Sequence, residues 1–414
     1  MSGNAARPRR AGAALVLSAA LALALPLLCT ASGPLRPSGA RWSMSAEADL
    51  GGLVPPPGGG SGLDPRSGSI PAVDIRRSGD PRNRITLVLL GDGFTVQQLG
   101  LFRAEADRTW RALMQIEPFR TYQHFFNIRR VEIASRVPGI SEQRSRLRLV
   151  PTPLGMHFWC DGTARLLCVD EQAAVRLAGP VRGPHYVIAI ANSARYGGAG
   201  GAGVTTLAGG SPDAGRIIQH EMGHTLGELG DEYDSAPSDA DYPNLSTDDA
   251  QAMLHNHTKW WRWLGAPAPG GGVVGAYRST NGLYRPTLDS VMRTLGGAYN
   301  PPSQEAVIKA IYRLIDPLDA VGPAAGPLSG HPRLWVRPIP LAGGGRMQVV
   351  WRVDGHPVRP RSGDGTWLDP AELRLRHGRA VTVTATVRDT TGRVRDERFR
   401  ARWMTRTVRW TLRG

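Results

Sequence analysis

The chain has 414 residues, room for two or three domains, and its 41% apolar fraction is ordinary for a globular protein, so a sizeable core is available. Its formal charge of +15 is carried almost wholly by arginine, since Lys259 and Lys309 are the only lysines, and the abundance of Ala, Gly and Pro points to a GC-rich coding bias behind it. That charge does not make nucleic acid a partner, because the front of the chain reads as an export segment and no nucleic-acid-reading motif is present.

Arg7, Arg9 and Arg10 precede the uncharged run AGAALVLSAALALALPLL and the small residues of CTASG, the three parts of a secretory signal in order. Residues 1–32 are therefore expected to be a signal peptide, with a secreted or periplasmic product and no stable membrane span after its removal. Pro26 and the small residues after it favour cleavage over a retained anchor. Residues 33–68, which include GGLVPPPGGGSGLDPRSGS, read as a flexible linker or propeptide.

The first folded segment is predicted near Ile70. RITLVLLGDGF is a short apolar run closed by Gly91 and Gly93, which predicts a buried strand. Its Asp92 could line a cleft. Thr95 is placed to cap a following helix whose Phe102, Ala106, Trp110 and Leu113 recur at helical spacing. FFNIRRVEIAS and HYVIAIANSARY predict two more strands, and a long helix follows. This is an α/β or α+β layer pattern, assigned to a domain over 69–325. Between the strands lie Cys160 and Cys168, an even pair closing a short loop, which in an exported chain predicts a disulfide.

The long helix carries IIQHEMGHTLGELGDEYD. His220 and His224, four residues apart, lie one above the other on a helix and can converge on one ion. Glu221 is offset by about 100° and can face a water on that ion as general base. A hydrolytic zinc site takes three protein ligands and keeps one position open. Gly227 and Gly230 predict a bend after His224 that turns Asp231 toward the ion, with Glu232 and Glu228 as alternatives for the third ligand.

Several motifs in consistent order, LLGDGFT, FNIRRVEIAS, NSARYGGAGG, HEMGHTLGELGDEY, YPNLS with KWWRWL, and GLYRPTLDSVMR, resemble the zinc metallopeptidases named after IgA peptidases, a metzincin-like zincin family. The resemblance implies one catalytic Zn2+ on His220, His224 and Asp231, with Glu221 as base, and Met292 as the methionine turn beneath the metal. The wider metzincin pattern has histidine where this chain has Gly230, so the aspartate assignment rests on the narrower family. Tyr284, shortly before Met292, is a candidate oxyanion stabiliser. Gly197, Gly198, Gly200 and Gly201 fall where metzincin-like folds present an edge strand to substrate, and glycines there let an extended peptide approach.

Beyond a Pro/Gly break, residues 326–414 alternate with the two-residue period of half-buried strands and predict a small β-sandwich. Arg333 to Arg413 contains 18 arginines against seven acids, a field that favours an anionic surface partner. The leading expectation is an exported, monomeric zinc endopeptidase acting on protein or peptide. The competing one is a non-catalytic surface-binding protein on a protease-derived fold, binding anionic glycan or protein through the basic module.

Overall fold

A computed structural model describes residues 70–142, 150–201, 203–234, 241–373 and 378–413. The expected signal peptide and linker, residues 1–68, lie outside them. The organising element is a six-stranded sheet of β1 (Ala72–Arg76), β2 (Ile85–Asp92), β3 (Phe126–Val131), β4 (His185–Ala191), β5 (Gly198–Ala199) and β6 (Thr205–Ala208), in the spatial order β1-β3-β2-β4-β6-β5. β3, β2, β4 and β6 run parallel, while β1 and β5 are antiparallel edge strands.

Every residue of β2 is buried, as expected of a parallel strand covered on both faces. Because side chains alternate across a strand, Leu87 and Leu89 join the core on one face and Val88 and Leu90 the core on the other. The first core is closed by α1 (Leu99–Leu113), α3 (Ala214–Gly227) and α5 (Pro301–Leu314). The second is closed by α2 (Glu171–Ala178) and by the loop residues Leu154, Met156 and Phe158. A short helix, α4 (Ala250–Asn256), precedes a small tryptophan-rich cluster.

Thr95 does not cap α1 directly. Its backbone N–H donates to the Gln98 side chain at 3.2 Å around a single 3-10 turn, and the α-helix begins at Leu99. Asp92, expected as a possible cleft residue, is wholly buried. Its carboxylate accepts from Thr152 Oγ1 and from the backbone N–H groups of Leu154 and Met156, tying the loop to the end of β2. Cys160, just past one short strand of this region (His157–Phe158), is joined by a disulfide to Cys168 in the other (Leu167–Cys168).

The C-terminal region is strand-rich, so the chain as a whole is a mixed α/β protein with several sheets. A three-stranded sheet uses Leu318–Gly322, Leu334–Pro338 and Trp367–Leu368. A five-stranded sheet is built on Met347–Val353, Ala380–Asp389 and Thr405–Arg413. The two share a core in which Trp351 and Trp410 stack with centroids 5.7 Å apart. Ile339, Val394, Phe399 and Met404 of this region also enter the core beneath α5. At that junction Asp389, fully buried, accepts from the hydroxyls of Tyr122 at 2.7 Å and Tyr312 at 2.8 Å. Part of the arginine surplus is used here too: Arg393 donates to Gln304 and pairs with Glu117, and Arg395 donates to the Arg262 carbonyl. Among the described residues no helix is long and apolar enough to cross a membrane.

Candidate metal centre

The helix α3 buries Ile217, Ile218, Met222 and Leu226 against the sheet, α1 and α5, and this fixes the direction in which His220 and His224 point. Its N-terminus lacks a side-chain cap: Asp213 occupies the cap position, and its own N–H donates to Ser211 Oγ. The helix ends at Gly227. The left-handed residue that turns the chain is Glu228, at φ 52°, and neither Gly227 nor Gly230 has a positive φ. Those glycines serve close packing instead. A Cβ on Gly227 would lie 2.8 Å from Val307, and one on Gly230 2.6 Å from Tyr242. The bend after His224 is therefore present, but Glu228 makes it, while the two glycines make room for Val307 and Tyr242. Glu228 N–H donates to His224 O and Leu229 N–H to Gly223 O, and Asp231 is brought back over the helix.

Three ligand-type atoms converge there. His220 Nε2 and His224 Nε2 are 3.2 Å apart, and Asp231 Oδ1 is 3.1 Å from the first and 3.3 Å from the second. Both Nδ1 atoms face carbonyls, Val291 O at 2.8 Å for His220 and Leu229 O at 2.6 Å for His224. Each imidazole thus keeps its proton on Nδ1 and turns a lone pair on Nε2 inward. Asp231 Oδ1 is buried and has no hydrogen-bond donor. Three lone pairs at such spacing repel one another unless a cation sits among them. An ion about 2.0–2.1 Å from each of three tetrahedral donors sets those donors about 3.3 Å apart. The spacing and the orphaned oxygen both fit a divalent ion of tetrahedral preference. This is the one such group of three or more His, Cys, Asp or Glu side chains among the described residues.

The other two acids weighed as third ligand stand elsewhere. Glu228 is at the exposed helix end, and Glu232 is buried in a hydrogen-bond network with Asn244, Ser290 and Asn300. Asp231 Oδ2, its other oxygen, accepts from Tyr233 at 2.7 Å, and Arg165 donates to that same hydroxyl at 3.2 Å. Burial first, and then the hydrogen bond to the carboxylate, push the Tyr233 hydroxyl up to about 12, so it remains a donor.

Glu221 is 7% exposed and lies in a cleft with a volume of about 300 Å3. Burial pushes its carboxyl above the ordinary glutamate value, against the opposing pull of the two histidines. The cleft is lined by Arg165, Tyr196, Gly198, Ile217, His220, Tyr233, Arg293 and Leu295 as well. Tyr284 is not among them; it sits in a two-stranded ribbon with Tyr277 and Arg278, and its backbone pairs with Ser246. Met292 is wholly buried beneath the helix. A Cβ on Gly223, between the two histidines, would come within 2.5 Å of its sulfur and 2.9 Å of the Tyr299 hydroxyl.

Packing inside the protein gives the glycines in and beside β5 a reason of their own. A Cβ on Gly197 would lie 2.4 Å from Arg165 O, on Gly198 2.6 Å from Ile217, and on Gly200 2.4 Å from Glu221 O and 2.9 Å from its Oε2. The protein's own packing excludes side chains at these three positions; only Gly201 opens onto free space. The edge is also partly taken, because Gly198 N–H donates to Arg165 O at 3.2 Å. Tyr233, Arg165 and Arg293 are not singled out by the sequence. Tyr233, two residues past Asp231, is within reach of local reasoning, whereas the two arginines carry no local signal.

No curated protein matches the chain. The family model described as IgA Peptidase M64 matches residues 73–270, from β1 through His220, His224 and Asp231, and stops before Met292. Across that span the chain is similar to this family of zinc metallopeptidases.

Proposed function

We propose that the protein is an exported zinc-dependent endopeptidase, built on a zincin-like domain with a C-terminal β-sandwich, that hydrolyses peptide bonds with Glu221 as general base. The observation that carries this reading is the orphaned Asp231 Oδ1, 3.1 and 3.3 Å from two imidazole nitrogens, with Glu221 beside them in an open cleft. His220, His224 and Asp231 would hold the ion. Bound there, zinc supplies a Lewis acid for the scissile carbonyl and acidifies water to near neutral pH.

The chain's own groups do the rest. Glu221 takes a proton from the attacking water and delivers it to the leaving amine, and its burial raises its affinity for that proton above the ordinary glutamate value. Val291 O and Leu229 O hold the imidazoles in the ligating tautomer, and Tyr233 holds Asp231. Met292 supports the histidine helix from below as the methionine turn. Of the phenols lining the cleft, Tyr196 is the one with no hydrogen bond among the described residues, which makes it a better oxyanion donor than Tyr284.

The test is Glu221→Gln. It retains stoichiometric zinc by elemental analysis and loses peptide cleavage by about a thousandfold; hydrolysis at the wild-type rate rejects the reading. The non-catalytic alternative has the arginine-rich C-terminal region in its favour, but a retired site has no need of a buried glutamate beside its ligands.

A further inference from the structure

The peptidase reading leaves open which substrates the cleft selects, and any selectivity assigned to the cleft rests on that reading. Arg293 directly follows Met292, so the buried turn that accepts the His220 proton also sets where this guanidinium enters the cleft. Its Nη2 lies 3.2 Å from Asp234 Oδ2. Its Nη1 is buried and has no hydrogen-bond partner among the described residues. Asp234 also faces Arg285 Nη1 at 3.4 Å and accepts from Ser279 Oγ at 2.7 Å, so one carboxylate is divided between two guanidiniums. Arg165, beside β5, spends its Nη2 on the neutral Tyr233 hydroxyl. The one acid lining the cleft, Glu221, is committed to the reaction.

The Arg293 side chain lines the cleft with 27% of its surface exposed, and its charge is only partly offset by the Asp234 it shares with Arg285, so a substrate carboxylate matches it in charge and as an acceptor. A basic side chain in the same place meets like charge, and an apolar one strips water from the exposed part of the guanidinium and returns no acceptor. We infer that Arg293 is a specificity-determining residue selecting substrates with an aspartate or glutamate next to the scissile bond, with Arg165 adding to the field.

The experiment digests a mixture of unfolded proteins with zinc-loaded wild-type protein and reads the cut sites by mass spectrometry. Steady-state kinetics are then measured on paired synthetic peptides that differ only by Glu or Gln at the enriched position. The expected result is an acidic residue enriched at one position flanking the cut, and a kcat/KM about tenfold or more higher for the Glu peptide. Arg293→Gln levels the two peptides chiefly through the Glu peptide's KM, and Arg293→Lys restores part of the difference. Cleavage without acidic enrichment, or a Glu preference unchanged in Arg293→Gln, overturns the inference and leaves the peptidase reading intact. No cleavage of any substrate by the zinc-loaded wild type overturns that reading and the inference together.

Discussion

Asp231 and Glu232 are consecutive in the chain, yet the metal centre and the network beneath it treat them differently. Glu232 has donors on both oxygens: Asn244 and Asn300 on one, Ser290 on the other. It belongs to the scaffold, and its backbone N–H reaches Met292 O to hold the turn under the helix. Asp231 has a donor on Oδ2 only, and its Oδ1 faces two nitrogen lone pairs. A buried carboxylate with a full set of donors is structural; one with a bare oxygen among lone pairs is arranged for a cation. Glu105 in α1 is a third case. Its Oε2 is also buried without a partner, but among the described residues it belongs to no cluster of metal-ligating side chains, and burial pushes its carboxyl up to about 7. A proton can meet there the need that a cation would meet at Asp231.

The sharpest way to break this contrast is Asp231→Asn, which is expected to lose metal affinity by at least about a hundredfold and activity with it, while the metal-free protein melts as before. Elemental analysis after dialysis reads the first and calorimetry the second; full metal occupancy would show the ligand set to be wrong. Glu232→Ala should do the reverse. It strands three buried donors and opens a cavity, so denaturant unfolding of the metal-free protein should show a loss of about 3 kcal/mol. The molecules that remain folded should still bind zinc. Tyr233→Phe removes only the hydroxyl that steadies Oδ2, so a zinc-competition titration should register a weakening of about tenfold with little change in melting.

The smallest effect belongs to Glu105→Gln. With the folded value raised to about 7 from an ordinary 4.5, the folded state binds the proton more tightly than the unfolded one. Its stabilising contribution is complete below about pH 4.5 and disappears as pH rises through 7. The Gln variant should flatten that part of the stability profile; an unchanged profile would place the titration elsewhere.

How much of this is legible in the sequence depends on how local each cause is. The β2 strand and the helix bearing His220, Glu221 and His224 are readable because burial on both faces and a four-residue spacing are written in adjacent residues. The bend after His224 is expected where it occurs, but at the wrong residue: Glu228 adopts the left-handed conformation while Gly227 and Gly230 make room for Val307 and Tyr242. The same holds for Gly198 and Gly200, whose neighbours Ile217 and Glu221 come from another element. A glycine announces that something approaches; it does not announce what.

The sequence alone determined the candidate ligand types, the periodicities of helix and strand, and the arginine surplus, all properties of residues a few positions apart. Which acid kept a bare oxygen, which phenol reached Asp231, and which guanidinium came to share its carboxylate beside the cleft were decided by tertiary structure. Hydrogen-bond satisfaction is a count over neighbours in space, and Asn244, Ser290 and Asn300 become neighbours of Glu232 only once the chain has folded.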